Sequence, residues 1–142
     1  MSALLDVNFL FALFDARHDR HGDAVSWFEA NANQGWATCA LTENGFARIA
    51  SRQGYAHGID VPTAARLLRS ASGHSDHEYW PCHVSLRNWL IIDSTRISGP
   101  SQITDVYLLA LAVARDGQLV TFDRRINTAA VIGFEPRHLL VL

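Results

Sequence analysis

The chain has 142 residues, 49% apolar and 18% charged, with a formal net charge of −2. That length suits one domain over residues 1–142 with its own core; the composition excludes a disordered chain and, being slightly acidic, a general nucleic-acid coat protein. All twelve basic residues are Arg, which excludes a Lys-based phosphate loop and Schiff-base chemistry. No apolar run reaches the ~18 residues of a bilayer span. The opening Met1–Asp6 lacks a basic leader, and Cys39 and Cys82 lie 43 residues apart. A cytoplasmic chain with two reduced thiols is expected.

In chain order, Ala3–Val7 reads as a buried strand interrupted by Asp6, and Phe9–Phe14 as a helix or turn. His21-Gly22-Asp23 opens a helix with Ala24, Trp27, Phe28 and Ala32 at helical spacing. Trp36–Cys39 is a strand, followed by a helix from Leu41 with Phe46, Ala47, Ile49 and Ala50 as its stripe. Pro62 and a Thr63 cap start the next helix. His77–Trp80 and Leu90–Asp93 have strand composition, with a short helix at Val84–Trp89 between them. Thr104–Arg115 is apolar almost all round and predicts a helix buried on several sides. Leu119–Phe122 is a strand ending at Asp123; a short helix from Arg124 and a strand at His138–Val141 finish the chain. Strands alternating with helices predict an α/β fold with a mostly parallel sheet covered on both faces.

In such folds sites lie beyond the carboxyl ends of strands. Asp6, Glu43, Asp105 and Asp123 all fall at strand ends or helix starts. Each has a plain alternative: Asp105 suits a helix N-terminus through the macrodipole, Asp123 a turn, Glu43 a solvated helix face. Asp6 is the hardest to read that way, because an acid within an apolar strand needs a partner. Acids sharing a pocket repel one another and raise each other's pKa values. A hard cation such as Mg²⁺ relieves that conflict while keeping waters that Asn8 and Thr104 can hydrogen-bond.

Leu4-Leu5-Asp6-Val7-Asn8 resembles the opening of PIN-domain proteins. Leu41-Thr42-Glu43 with Phe46-Ala47-Arg48, Ile103–Ala112 around Thr104-Asp105, and Leu119-Val120-Thr121-Phe122-Asp123-Arg124 resemble their later acidic segments. Order, spacing and length are similar to the VapC toxins of bacterial type II toxin–antitoxin pairs. The resemblance implies a three-layer α/β/α sandwich and Mg²⁺- or Mn²⁺-dependent ribonuclease activity, with Asp6, Glu43, Asp105 and Asp123 as catalytic and metal-binding acids. Asn8 and Thr104 would support them. It further implies a VapB-type antitoxin whose C-terminal segment fills the groove, an RNA substrate and a homodimer. On this reading a cation at Asp6 and Asp105 activates water and polarises the phosphate, while Glu43 or Asp123 orients or deprotonates the attacking water. Arg48, Arg124 and Arg125 are candidate phosphate holders.

Other constellations point elsewhere. His74-x-x-His77 with Cys82-His83 lacks a second Cys-x-x-Cys, which argues against zinc. His18 and His21 read as capping or surface residues, Trp80 and Trp89 as core or interface. Trp27 and Phe28 read as core from the sequence and, through the resemblance, as a dimer or antitoxin surface. A phosphatase with Asp6 as nucleophile would want an acid at Asn8 and a Lys. The alternative from another class is an inactive PIN-like module that binds RNA or antitoxin without hydrolysis.

Overall fold

Five short segments become strands, and the alternation of their side chains sets the layers. The computed structural model describes residues Met1–Leu142. In it β1 (Ala3–Leu5), β2 (Trp36–Cys39), β3 (His77–Trp80), β4 (Gln118–Thr121) and β5 (Leu139–Val141) form one sheet in the order β3-β2-β1-β4-β5. All four pairings are parallel. Successive side chains on a strand point to opposite faces. Leu4, Ala37, Cys39, Trp80 and Leu119 therefore enter the core on one side, and Ala3, Leu5, Trp36 and Val120 the core on the other.

The first side is covered by α5 (Ile103–Ala114), in which Val106 and every residue from Leu108 to Ala112 is fully buried. Each buried Leu there contributes about 2 kcal/mol relative to exposure. The second side carries α1 (Val7–Phe14), α2 (His21–Asn31), α3 (Ala40–Ala50) and α4 (Val61–Ser72). Phe9, Leu10, Ala24, Phe46 and Ala64 pack there. This is the expected three-layer α/β/α sandwich, with a wholly parallel sheet. The chain runs outward from β1 to β2 and β3, then returns to β4 on β1's other flank. The reversal makes the carboxyl ends of β1 and β4 the topological switch point.

Several local expectations are corrected. Asp60, not Thr63, caps α4: its Oδ1 accepts the Thr63 N–H at 2.9 Å. Neither the helix at Val84–Trp89 nor the strand at Leu90–Asp93 forms. Ser85 Oγ takes the Arg87 amide at 3.2 Å and Asn88 Oδ1 the Leu90 amide at 3.1 Å, local bonds that compete with helix and ladder. Ile92 keeps one antiparallel bridge, to Val131. After β4 the expected helix is a turn, with a 3₁₀ segment at Thr128–Ala130, because Asp123 Oδ1 accepts the Arg125 amide at 2.8 Å. Trp80 is core at 2% exposure, whereas Trp89 is 76% exposed. Trp27 and Phe28 are half-buried against the α1–α4 core. Both cysteines are free, Cys39 buried and Cys82 exposed. No helix is long and apolar enough to cross a membrane.

The crossing of α1 and α3 depends on Gly45. A Cβ there would meet Val7 Cγ2 at 2.5 Å. Gly45→Val is expected to lower unfolding stability by about 1–3 kcal/mol through overpacking, measured by denaturant titration. Unchanged stability would show that this contact does not set the crossing.

Candidate active site

The buried centre of the site is a hydroxyl. Thr121 ends β4 with no exposed surface. Its Oγ1 donates to Asp6 Oδ2 at 2.6 Å and accepts from Asn8 Nδ2 and the Asp123 amide, both at 3.0 Å. One donor and two acceptor positions are thereby filled. Asn8 also takes the Phe122 amide on Oδ1 at 3.1 Å, which ties the first turn of α1 to the end of β4.

Asp6 is the N-cap of α1, and its Oδ1 accepts the Val7 amide at 2.7 Å. It is 4% exposed. Burial pushes its carboxyl above the ordinary range, against the Thr121 and Val7 hydrogen bonds, and the Asp123 charge adds to the rise. Asp105, in the first turn of α5, is half-buried and is pushed up to about 6, first by burial, then by Asp6 and Asp123. Arg125 opposes that rise, and no hydrogen bond does. Asp123 Oδ1 is held by the Arg125 amide and by its Nε at 3.5 Å. Asp105, Asp123 and Arg125 line a cleft of about 240 Å³ with Ser101 and Gln102, and no hydrophobic residue lines it.

The structure thus brings Asp6, Asp105 and Asp123 into mutual electrostatic contact. Glu43 stands apart, in the first turn of α3. Its Oε1 accepts from Thr38 Oγ1 at 2.7 Å, on the sheet face opposite α5. It lines a groove between α3 and α4 with Asn44, Val61 and Arg69. Thr104 is exposed beside Asp105; Arg124 is exposed next to Arg125; Arg48 is exposed in the last turn of α3.

Sequence reasoning did not single out Thr121, whose one signal was a hydroxyl closing an apolar strand two residues before Asp123. It also missed Thr38 and Arg20, and considered His77 only in a zinc spacing with His74. The Arg20 guanidinium lies 4.2 Å from the centre of the Phe122 ring, and its Nε donates to Asp23 at 2.7 Å.

As placed, no three His, Cys, Asp or Glu side chains surround a common metal position. The donor set nevertheless fits a hard cation: the Asp6 and Asp123 charges raise the proton affinity of Asp105, which has no hydrogen-bond donor of its own. Oxygen ligands with adjoining open, polar space suit Mg²⁺-type coordination, which retains several waters.

Residues 3–132 match the model of the PIN domain. The chain belongs to the PIN-domain family, and within it to the VapC ribonucleases: it is 47% identical to Ribonuclease VapC44 of Mycobacterium tuberculosis over 142 residues, the full length of both chains. Among solved structures, the fold matches Mycobacterium tuberculosis VapC20, a sarcin–ricin loop cleaving toxin, with a TM-score of 0.61 at 18% identity over 94% of this chain and 99% of that one. It also matches a chain of VapBC2 from Rickettsia felis bound to a fragment of promoter DNA, with a TM-score of 0.59 at 16% identity over 88% and 90%.

The raised pKa of Asp105 has a stability consequence with a definite sign. Between the ordinary value of 3.8 and about 6, the folded chain binds more protons than the unfolded one, so stability falls as pH rises through that window. Asp105 therefore costs melting temperature as pH rises from 4 to 6.5, and in metal-free protein the melting temperature of Asp105→Asn relative to wild type is expected to rise across that range. Mg²⁺ or Mn²⁺ at pH 7.5 is expected to raise the melting temperature of the wild type but not of Asp105→Asn. Equal shifts in both proteins would place the cation elsewhere.

Proposed function

We propose that this chain is the toxin of a type II toxin–antitoxin pair, acting through one PIN domain over residues 1–142 as a divalent-metal-dependent endoribonuclease. The observation that carries the reading is the half-buried Asp105 carboxylate, unpaired and facing the charges of Asp6 and Asp123. Such an arrangement is unfavourable for the chain alone and becomes favourable around a cation. The names of its VapC relatives support RNA as the substrate.

Asp6 and Asp105 would hold the cation, Mg²⁺ or Mn²⁺, with Asp123 and Glu43 completing the acidic set directly or through water. A divalent cation so held supplies Lewis-acid activation of water and neutralises charge at the scissile phosphate. Thr121 and Asn8 fix the Asp6 carboxylate and the start of α1, so Asp6 does not reorganise during the reaction. Asp123 Oδ1 is committed to Arg125, which leaves Oδ2 to take the proton of the attacking water. Thr104, beside Asp105, hydrogen-bonds water in the cleft. In-line attack by the water oxygen forms the new P–O bond as the P–O3′ bond breaks, leaving a 5′-phosphate and a 3′ oxygen that takes its proton from water in the cleft. Arg125, lining the cleft, and Arg124 hold phosphates flanking the cut; Arg48 serves RNA passing the far end of α3. A VapB-type antitoxin restrains the enzyme by filling this groove, the chain works as a homodimer, and its substrate places it in the cytoplasm.

The test is cleavage of total cellular RNA by purified, antitoxin-free protein with Mg²⁺, Mn²⁺ or chelator. Discrete fragments that require the cation are expected. Asp105→Asn is expected to lose at least about 100-fold in rate, more than removal of a supporting hydrogen bond costs, and Thr121→Val about 10–100-fold. Folded protein that binds RNA and cuts none would favour the inactive module; cleavage surviving chelator would remove the acids from the mechanism.

A further inference from the structure

At the β2–β3 edge Thr38 and His77, which the mechanism above leaves unused, form a hydrogen-bonded chain with Glu43. Thr38 is 2% exposed. Its Oγ1 lies 2.7 Å from Glu43 Oε1 and 2.8 Å from His77 Nε2. A hydroxyl has one proton to give, and an ionised carboxylate can only accept. That proton therefore goes to Glu43, and the Thr38 oxygen accepts from His77 Nε2–H. Register fixes the alignment: Trp36 pairs with His77 and Thr38 with Tyr79, so Thr38 and His77 share a sheet face as diagonal neighbours. The imidazole is held in turn by the Trp36 ring, 4.5 Å away between centres. Burial holds its pKa below the ordinary value, against the pull of Glu43 and Glu78, which leaves one N–H, the one given to Thr38.

We propose that His77 is a positioning residue for Glu43, acting through the Thr38 hydroxyl, which fixes the Glu43 rotamer and leaves Oε2 as the oxygen free for the reaction. The proposal rests on reading Glu43 as part of the nuclease site. Thr38 and His77 touch neither substrate nor cation in this scheme.

The test is a mutant cycle read in steady-state RNA cleavage. Thr38→Val and His77→Phe preserve shape or ring packing and are each expected to lower kcat about fivefold to tenfold, the worth of one hydrogen bond to a charged group, with KM unchanged. Thr38→Ser and His77→Gln, which restore a hydroxyl and an N–H donor, are expected to recover most of the loss. In a Glu43→Gln background neither Thr38→Val nor His77→Phe should cost anything further, because the route runs through Glu43. Full losses persisting in that background, or losses that track melting temperature, would overturn the proposal. Nitrogen-15 NMR decides the same point without turnover: the Nε2–H tautomer of His77 is expected, with a shift of the Glu43 carboxyl carbon in His77→Phe. An Nδ1–H tautomer or an unmoved Glu43 signal would overturn the positioning role. Wild-type protein that cuts no RNA would instead sink the nuclease reading, leaving the NMR result to decide the hydrogen-bonded chain.

Discussion

The Thr121 hydroxyl is where the parts of the site are joined. It is fully buried, and its one proton and two lone-pair positions are all used, on Asp6, Asn8 and the Asp123 amide. Leaving one of those partners unsatisfied in a dry interior costs about 1–3 kcal/mol, so the four groups behave as a unit. The end of β1, the first turn of α1 and the exit from β4 are thereby held in one geometry. This also explains how an apolar strand can end in a carboxylate: Asp6 keeps two hydrogen bonds in place of water, and they offset part of the desolvation that raises its pKa.

The fold concentrates negative charge instead of dispersing it. A parallel sheet whose winding reverses at β1 places the residues after β1 and β4 side by side, and α5 begins above them. Asp6, Asp123 and Asp105 occupy those three positions, and Arg125 is the cation opposing the rise at Asp105. The chain tolerates this repulsion because the surrounding β1, β4 and α5 core, from Leu4 to Ala112, over-determines the backbone. Glu43 escapes the crowding for a geometric reason. It grows from the helix after β2, on the face of the sheet that carries Leu5 and Trp36, and its hydrogen bond to Thr38 draws it toward β3.

The layers were readable because short apolar strands and the all-apolar α5 leave few alternatives, and Asp6 stood out because a charge in such a strand demands explanation. Asp105 and Asp123 were legible as acids at a helix start and a strand end. Other features depend on tertiary context. Thr121 is an ordinary β-former until its partners, more than 100 residues distant in sequence, are known. His77 stood out only in a spacing with His74 that argued against zinc, and its partner Thr38 follows from strand register, which the pattern does not give. The segment from Val84 to Asp93 carries apolar residues at plausible spacing, but Ser85 and Asn88 capture nearby amides first. That competition between side chain and ladder is invisible to hydrophobic pattern alone.

The Asp6 amide donates to Val120 O at 3.0 Å, which continues the β1–β4 ladder into the site itself. These are the central strand and one of its two neighbours, covered on both faces. An opening that moves Asp6 must therefore separate the middle of the sheet, and this amide belongs with those that exchange hydrogen only when the whole domain unfolds. The Asp6 carboxylate therefore has no inexpensive local melting by which it can leave the site.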